Sequence, residues 1–425
     1  MNVSDARQPA SWHAVLPTLR LVAPAFLLSR AWTALWVYLG QNTRPSIAAP
    51  IEGGYAGVAN WWLNAWTTYD TEHFFRIARV GYEARTAPFF PLYPWLLRVF
   101  APNELAMALW GIAVSNVAFL VGLWFLHRLT TLDFNAGVAT RAVWLLCFSP
   151  ISAVLSAVYT DASFFCFLVV ALWAARNKRF AVAGTSAALA ALTRNSGPII
   201  FVALLLEWFQ ARHMSTHAMA DEAKNDVGDN VPGDNVQSVV AARDVNSVEV
   251  NPVEVKRRDL LWVALPLVAF AAVQVGISRQ LGGALTGITS HEKYGRALMW
   301  PWIPIWRDAL NILAGRGDLV VTLLNLGATL GALVFGAVLW KRRPGYAVLL
   351  LGIVGMQLTL GRTFAPFTNS SLRFMTTTFP FVQMLAAWSE PLTRNRLRLI
   401  VFATIYLLIC ALVSYDFGIK QFVTG

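Results

Sequence analysis

The feature that most constrains this chain is a series of apolar runs, the longest of which have the length that a helix needs to cross a bilayer. Clear examples are residues 259–278 and 319–340. About 20 helical residues span a hydrocarbon core about 30 Å thick. Because backbone polar groups cannot bond to lipid, repeated crossings must be helical. The sequence therefore predicts an all-α polytopic membrane protein, a single integral domain over residues 1–425 with about 9–11 transmembrane helices.

Composition and charge agree with this fold class. Only 13% of the residues are charged, against about 25% in average soluble domains. The net charge of +11 comes from short basic clusters between apolar runs, which indicates membrane topology rather than nucleic-acid binding. The predicted helical runs are 20–39, 105–127, 142–158, 162–175, 180–192, 198–209, 259–280, 319–340, 346–361, 374–389 and 399–415.

Basic clusters at 176–179, 341–343 and 394–398 test the orientation of these helices, because short cytoplasmic loops are rich in Lys and Arg. All three clusters share the cytoplasmic side only if residues 180–209 form two half-length legs around the sequence TRNSGP at 193–198. Proline permits such a break because it lacks a backbone donor. We therefore predict a broken helix there.

Two long loops differ in kind. Residues 211–258 are rich in Asp, Asn, Ser and Glu without a sustained period, which predicts a disordered cytoplasmic loop. Residues 40–104 are dense in Trp, Tyr, Phe and Arg, which predicts an external catalytic loop that carries an interfacial helix.

This topology brings five polar segments to the external side of the membrane. Ionisable groups at membrane depth are costly and usually mark a pathway or a site. We therefore expect one shared cavity, formed by residues 66–75, 159–161, 193–195, 291–296 and 370–374.

Within residues 66–75, the helical period places Asp70 and His73 on one face. Glu72 points about 200° away from Asp70 and lies four residues before Arg76. Asp70 is therefore the stronger candidate for a general base. Glu72 would either pair with Arg76 or reach the site through a helix break.

The polar residues of the predicted cavity also have simpler structural interpretations. Asp70 would cap a helix that starts at Thr71, and Asp161 would cap its own helix. His73 would be an interfacial packing residue, and Arg194 and Arg373 would extend to the lipid headgroups. The segment PFFPLYPWLL at 88–97 would be either a turn into a short helix or a rigid aromatic wall for a sugar or prenyl chain.

Several motifs resemble the PIG-V family of mannosyltransferases. DTEHFFRIARVGYE followed by FFPLYP resembles its acidic first-loop signature. Later matches follow in the family's order: YTDASFF, ALTRNSG, KYGRALMWPW and SLRFMTTTFP. Tyr69 stands where the family has Trp, Phe374 replaces a Tyr, and TRNSG exchanges the order of Ser and Asn.

The resemblance implies a GT-C fold and an inverting transfer from a polyprenyl-phosphate-mannose donor, with no metal or other cofactor expected. Asp70 would be the base, with Glu72 and His73 as further catalytic candidates. Arg373 and Arg194, aided by His73 and Lys293, would stabilise the leaving lipid phosphate. The predicted substrate-binding set also includes Asn195, Asp161, Tyr159, Arg296, Phe90, Pro91, Tyr93 and Pro94.

Three alternatives stay open at this point. The same scaffold could use another lipid-linked sugar, such as arabinose or glucose. A transporter or lipid flippase would instead distribute its ionisable groups through the membrane depth. A non-catalytic member of the family would serve as a partner subunit.

The expected partners are the lipid-linked donor, an acceptor glycan, lipid or protein, membrane lipids and a small membrane subunit, with no nucleic acid. Residue usage favours the cytoplasmic membrane of a bacterium, with the endoplasmic reticulum as the eukaryotic alternative.

Overall fold

Helices form over nearly every predicted apolar run. The computed structural model describes residues 12–43, 58–100, 102–228, 255–282, 294–368 and 370–419, and it is 78% helical. The predicted all-α membrane fold class is thereby confirmed. Four helices are long and apolar enough to cross a membrane by length and composition: Leu16–Thr43, Glu104–Asp133, Leu319–Trp340 and Arg396–Gly418.

The first half of the fold carries one long helix, a short helical loop region and a bundle. Its helices are α1 (Trp12–Thr43), a 3₁₀ helix (Val58–Thr67), α2 (Asp70–Val80), α3 (Leu92–Phe100), α4 (Glu104–Asp133), α5 (Ala136–Cys147), α6 (Asp161–Arg176), α7 (Phe180–Ala191) and α8 (Gly197–Gly228).

The second half adds further helices and one short ladder. Its elements are α9 (Asp259–Val263), α10 (Leu265–Leu281), β1 (Arg296–Leu298), α11 (Trp302–Leu313), α12 (Leu319–Trp340), α13 (Pro344–Thr359), β2 (Leu360–Arg362), α14 (Ser371–Thr377), α15 (Pro380–Trp388), a 3₁₀ turn (Glu390–Arg394) and α16 (Arg396–Gly418). The antiparallel pair β1 and β2 is the only sheet in the described part of the chain.

The predicted broken helix is present. Helix α7 ends at Ala191 and α8 begins at Gly197, so residues 192–196 form a turn between two legs. Helix α8 continues to Gly228, inside the segment 211–258 for which we predicted disorder. Good helix formers such as Ala, Met, Glu and Lys at 218–224 account for the extension. Residues 229–254 lie outside the described residues.

The predicted helix over 142–158 is wrong beyond Cys147. Residues 148–160 form a buried irregular segment instead, because Pro150 cannot continue a helix and Ser152 Oγ donates locally to Cys147 O at 2.7 Å. Arg30 of α1 donates to Ser152 Oγ and to Ser156 Oγ, both at 2.6 Å. These bonds satisfy polar groups that lipid could not.

Two of the basic clusters lie together at one end of the bundle. Arg176 and Arg343 bind the same carboxylate oxygen of Asp133 at 3.2 and 3.5 Å, and Tyr346 donates to the other oxygen at 2.6 Å. Asp161 begins the helix that Arg176 ends. Residues near Asp161 therefore lie at the opposite end of the bundle.

Candidate active site

The predicted polar segments meet in one cavity. Its volume is about 220 Å³, and residues from α2, the segment before α6, the α7–α8 turn, the β1–β2 ladder and α14 line it. The expectation of a shared cavity is confirmed for the described residues. Its polar and charged lining includes Asp70, Asn195, Arg194, Arg296, Arg362 and Arg373.

Asp161 is the centre of a buried ion network behind this cavity. Its side chain is fully buried, and Arg373 and Arg194 are each 7% exposed. Arg373 donates to the Asp161 carboxylate oxygens through Nε at 2.9 and 3.0 Å and through Nη2 at 2.6 Å. Arg194 Nη2 lies 2.5 Å from Asp161 Oδ1. Asp161 therefore orients two arginines, and both the capping interpretation and the headgroup interpretation are wrong.

Asp70 is attached to this network from the side of the cavity. Arg373 Nη1 donates to Asp70 Oδ2 at 2.9 Å, and the Asp70 side chain is 23% exposed. Helix α2 begins at Asp70, and Tyr69 is the N-cap residue, with no side-chain cap bond. Asp70 is thus not the helix cap, and its carboxylate faces the cavity.

The loop before α14 fixes the position of Arg373. Asp308 is fully buried and accepts from the backbone N–H groups of Phe367 at 2.8 Å and Thr368 at 2.7 Å. Asn325 of α12 accepts from Leu372 N at 3.1 Å. Buried polar groups are thereby satisfied, and the arginine is held on a rigid frame.

The loop that precedes and includes the start of α2 is anchored to the irregular segment before α6. Val158 N donates to Trp66 O at 2.9 Å, Thr71 Oγ1 donates to Val158 O at 3.1 Å, and Tyr159 Oη donates to Thr68 O at 3.1 Å. The Arg373 guanidinium stacks on the Tyr159 ring at 4.7 Å. Tyr159 therefore supports Arg373 and the loop.

Glu72 points away from the cavity, as the helical period predicts. It binds Arg85 at 3.2 Å, whereas Arg76 binds Glu83 at 2.8 Å. Glu72 lines a separate small pocket with Arg76. Neither Arg85 nor Glu83 was anticipated as a partner from the sequence.

His73 packs among aromatic rings. It stacks on Phe89 at 4.4 Å and meets the edge of Tyr294 at 5.5 Å. Burial lowers the pKa of His73, although the nearby carboxylates of Asp70 and Glu72 raise it. These contacts agree with the packing interpretation.

The residues of the proline-rich segment 88–97 have two different roles: some line the cavity, and others pack in the protein interior. Phe90 lines the cavity, whereas Tyr93 is fully buried and donates to Gly111 O at 2.8 Å. Pro91 precedes α3, and Pro94 lies in its first turn, where a missing N–H costs little. Pro91, Tyr93 and Pro94 are absent from the cavity lining, so the turn into a short helix is the better interpretation for them.

Sequence reasoning missed four lining residues, which lie outside the predicted segments: Met356, Gln357, Leu360 and Arg362. Arg362 follows the apolar run 346–361 at the end of the bundle where the other polar segments meet, and that position was a usable signal. Tyr294 donates to the backbone carbonyl of Arg85 and so joins two loops. Lys293 lies outside the described residues.

The cavity has an excess of positive charge. Arg194, Arg296, Arg362 and Arg373 line it together with Asp70, and buried Asp161 lies behind. Among the described residues, these four cations face two carboxylates, so two positive charges are left over. In that same part of the chain, no group of three His, Cys, Asp or Glu side chains could hold a metal ion.

Residues 44–218 match the sequence profile of the family described as Mannosyltransferase (PIG-V). The predicted resemblance to the PIG-V family is confirmed over these residues. The matched region contains Asp70, Asp161 and Arg194 of the network, while Arg296, Arg362 and Arg373 follow it in the chain. No curated protein matches the chain.

Solved structures of the Archaeoglobus fulgidus oligosaccharyltransferase are similar to the chain at 13% identity. The apo form gives a TM-score of 0.45 and covers 98% of this chain. The complex of the archaeal enzyme AglB with an inhibitory peptide and a dolichol-phosphate gives 0.43 and also covers 98%. The chain spans 57% of the length of the archaeal protein.

Proposed function

We propose that the protein is an inverting GT-C-type membrane glycosyltransferase. It moves mannose from a polyprenyl-phosphate-mannose donor to a lipid-linked or protein-linked acceptor on the extracytoplasmic face of the membrane. The match of residues 44–218 to the PIG-V mannosyltransferases and the four candidate membrane spans support this proposal.

The observation that carries the proposal is the presentation of Asp70. Within the described residues, Arg373 donates to Oδ2 of the Asp70 carboxylate and not to Oδ1. The Asp70 side chain faces the cavity. Oδ1 is therefore available to a ligand in the cavity. A fixed, partly exposed carboxylate is what a general base for a hydroxyl requires.

The reaction follows from this geometry. An acceptor hydroxyl oxygen attacks the sugar C1 while Asp70 takes the hydroxyl proton, and a new C1–O bond forms. The bond between C1 and the phosphate oxygen breaks, and its electron pair leaves with the lipid phosphate. Attack opposite the leaving group inverts C1. A phosphate monoester carries about −1.5 to −2 charge at pH 7, which the two excess positive charges of the cavity match.

The placement of the charges favours an enzyme over a transporter. The cavity network lies at one end of the bundle, and the Asp133 cluster lies at the other. The polar segments of the chain meet in one cavity at one end of the bundle, which supports catalysis at a membrane surface rather than a translocation path whose sites are distributed through the membrane depth. For the host membrane we propose the bacterial cytoplasmic membrane.

The test is sugar transfer by membranes that contain the full chain. Polyprenyl-phosphate mannose, arabinose and glucose are supplied separately, with vesicles lacking the protein as the control. Transfer of mannose in preference to the others supports the proposal. Preferential transfer of another sugar would change the donor assignment, and transfer of none would refute the proposed activity.

A further inference from the structure

Two arginines face each other across the β1–β2 ladder. Arg296 and Arg362 are direct cross-strand partners in an antiparallel register, so their side chains lie on the same face of the ladder. Both line the cavity that contains Asp70. Like charges in directly opposite positions destabilise a strand pair. Strand stability therefore does not explain why Arg296 and Arg362 face each other.

Neutral groups hold both guanidinium groups in place. Arg296 Nη1 donates to Gln357 Oε1 and to Leu360 O, each at 3.2 Å. The Arg362 guanidinium stacks on the ring of Phe364 at 4.1 Å. In the part of the chain that the structure describes, neither arginine has a carboxylate within ion-pair distance.

The frame of the ladder is rigid. Gly295 has a φ of 63°, and a side chain there would meet the Phe364 ring at 2.5 Å. The Gly295 carbonyl accepts from Thr363 N at 2.8 Å and from Thr363 Oγ1 at 3.0 Å. Because glycine alone fits here without strain, Phe364 packs closely and supports the stack with Arg362.

The other two arginines of the cavity, Arg373 and Arg194, already have carboxylate partners. Arg373 uses Nε and Nη2 on Asp161 and Nη1 on Asp70. Arg194 binds Asp161, and its Nη1 donates to Thr377 at 3.3 Å. The two excess positive charges therefore reside on Arg296 and Arg362. Burial, and then the charge of Arg362, lowers the pKa of Arg296 to about 10, and a bound anion would favour the charged forms of both guanidinium groups.

We propose that Arg296 and Arg362 form the binding subsite for the phosphate group of the lipid-linked donor. This assignment rests on the proposed function. Arg373 is then a positioning residue that holds Asp70, and Arg194 shares Asp161 with Arg373, whereas the ladder pair neutralises the phosphate when it leaves. Arginine suits this task because its planar fork matches phosphate oxygens.

The experiment measures binding to the purified full chain in detergent. The probes are farnesyl phosphate, farnesol and inorganic phosphate. The variants are R296Q, R362Q and R362K. The matched control is R307Q, since Arg307 also stacks on a phenylalanine, Phe367 at 5.2 Å, but is absent from the cavity lining.

We expect R296Q and R362Q each to weaken farnesyl phosphate binding about 10- to 100-fold, as for a lost charged hydrogen bond. The affinity of R362K for farnesyl phosphate should lie between those of R362Q and the wild type, and R307Q should bind like the wild type. Farnesol binding should not change in any variant. Thermal unfolding of each variant verifies that it is folded, and R362K keeps the test valid if R362Q unfolds.

Other outcomes separate the two proposals. If the wild type binds farnesyl phosphate and all three ladder variants bind it equally well, the subsite assignment is wrong while the proposed function stands. If the wild type binds inorganic phosphate through Arg362 but does not bind farnesyl phosphate, the anion site stands and the lipid donor is wrong. If the wild type binds neither anion, both proposals fall.

Discussion

Removing the carboxylate of Asp161 should be far more damaging than removing a surface carboxylate. Asp161 is fully buried and serves two arginines that are each 7% exposed. In Asp161→Asn both cations stay in the protein interior, with only Asp70 as a partner for Arg373. Breaking a buried pair by removing one partner costs about 3–5 kcal/mol, a large part of a typical unfolding free energy of about 5–15 kcal/mol.

The assay is unfolding of the purified protein by SDS in mixed micelles. The matched variant is Glu104→Gln, which removes a carboxylate from the pair of Arg79 and Glu104, whose side chains are 53% and 35% exposed. We expect this change to cost about 1 kcal/mol or less.

A double variant sharpens the measurement. Arg194→Gln in the Asp161→Asn background removes one uncompensated cation, so part of the lost stability should return. The reasoning would be refuted if Asp161→Asn were no more destabilising than Glu104→Gln.

Three shorter predictions test other parts of the structure. Burial lowers the pKa of His73, so the unfolded state binds its proton more readily and stability should fall as the pH drops below the unfolded value of about 6.5. His73→Phe should reduce this fall in pH-dependent unfolding while keeping the stack on Phe89, and an unchanged slope would contradict the assignment. Gly418→Ala places a Cβ 2.3 Å from Val37 O and should destabilise the α1–α16 contact by about 1–3 kcal/mol, measured by thermal unfolding. Sugar transfer should persist in excess chelator, and loss of activity that added metal restores would contradict a metal-free mechanism.

The helices were predictable because the chain is divided into apolar runs, several of them of nearly bilayer length, and the break near Pro198 followed from the orientation of the basic clusters. The end of α5 at Cys147 was not predictable from hydropathy. Residues 148–158 are apolar enough for a helix, and their irregular path depends on Arg30, more than a hundred residues away, which binds Ser152 and Ser156.

For the site, the helical period correctly separated Asp70 from Glu72, and topology correctly predicted a shared cavity. The sequence could not reveal how the arginines divide their bonds. Arg373 and Arg194 share Asp161 through contacts between distant elements. Arg362 acquires its importance only when β2 pairs with β1, because three-residue strands leave no periodic pattern.

The most direct test of the account compares Asp70→Asn with Glu72→Gln in mannosyl transfer from polyprenyl-phosphate mannose. Both substitutions remove one carboxylate from α2, but Asp70 faces the cavity whereas Glu72 binds Arg85 outside it. We expect Asp70→Asn to lower the transfer rate at least about 100-fold, as for a lost general base, and Glu72→Gln to stay within a few-fold of the wild type. Wild-type activity in a folded Asp70→Asn protein, or loss of activity only in Glu72→Gln, would contradict the assignment of Asp70 as the base.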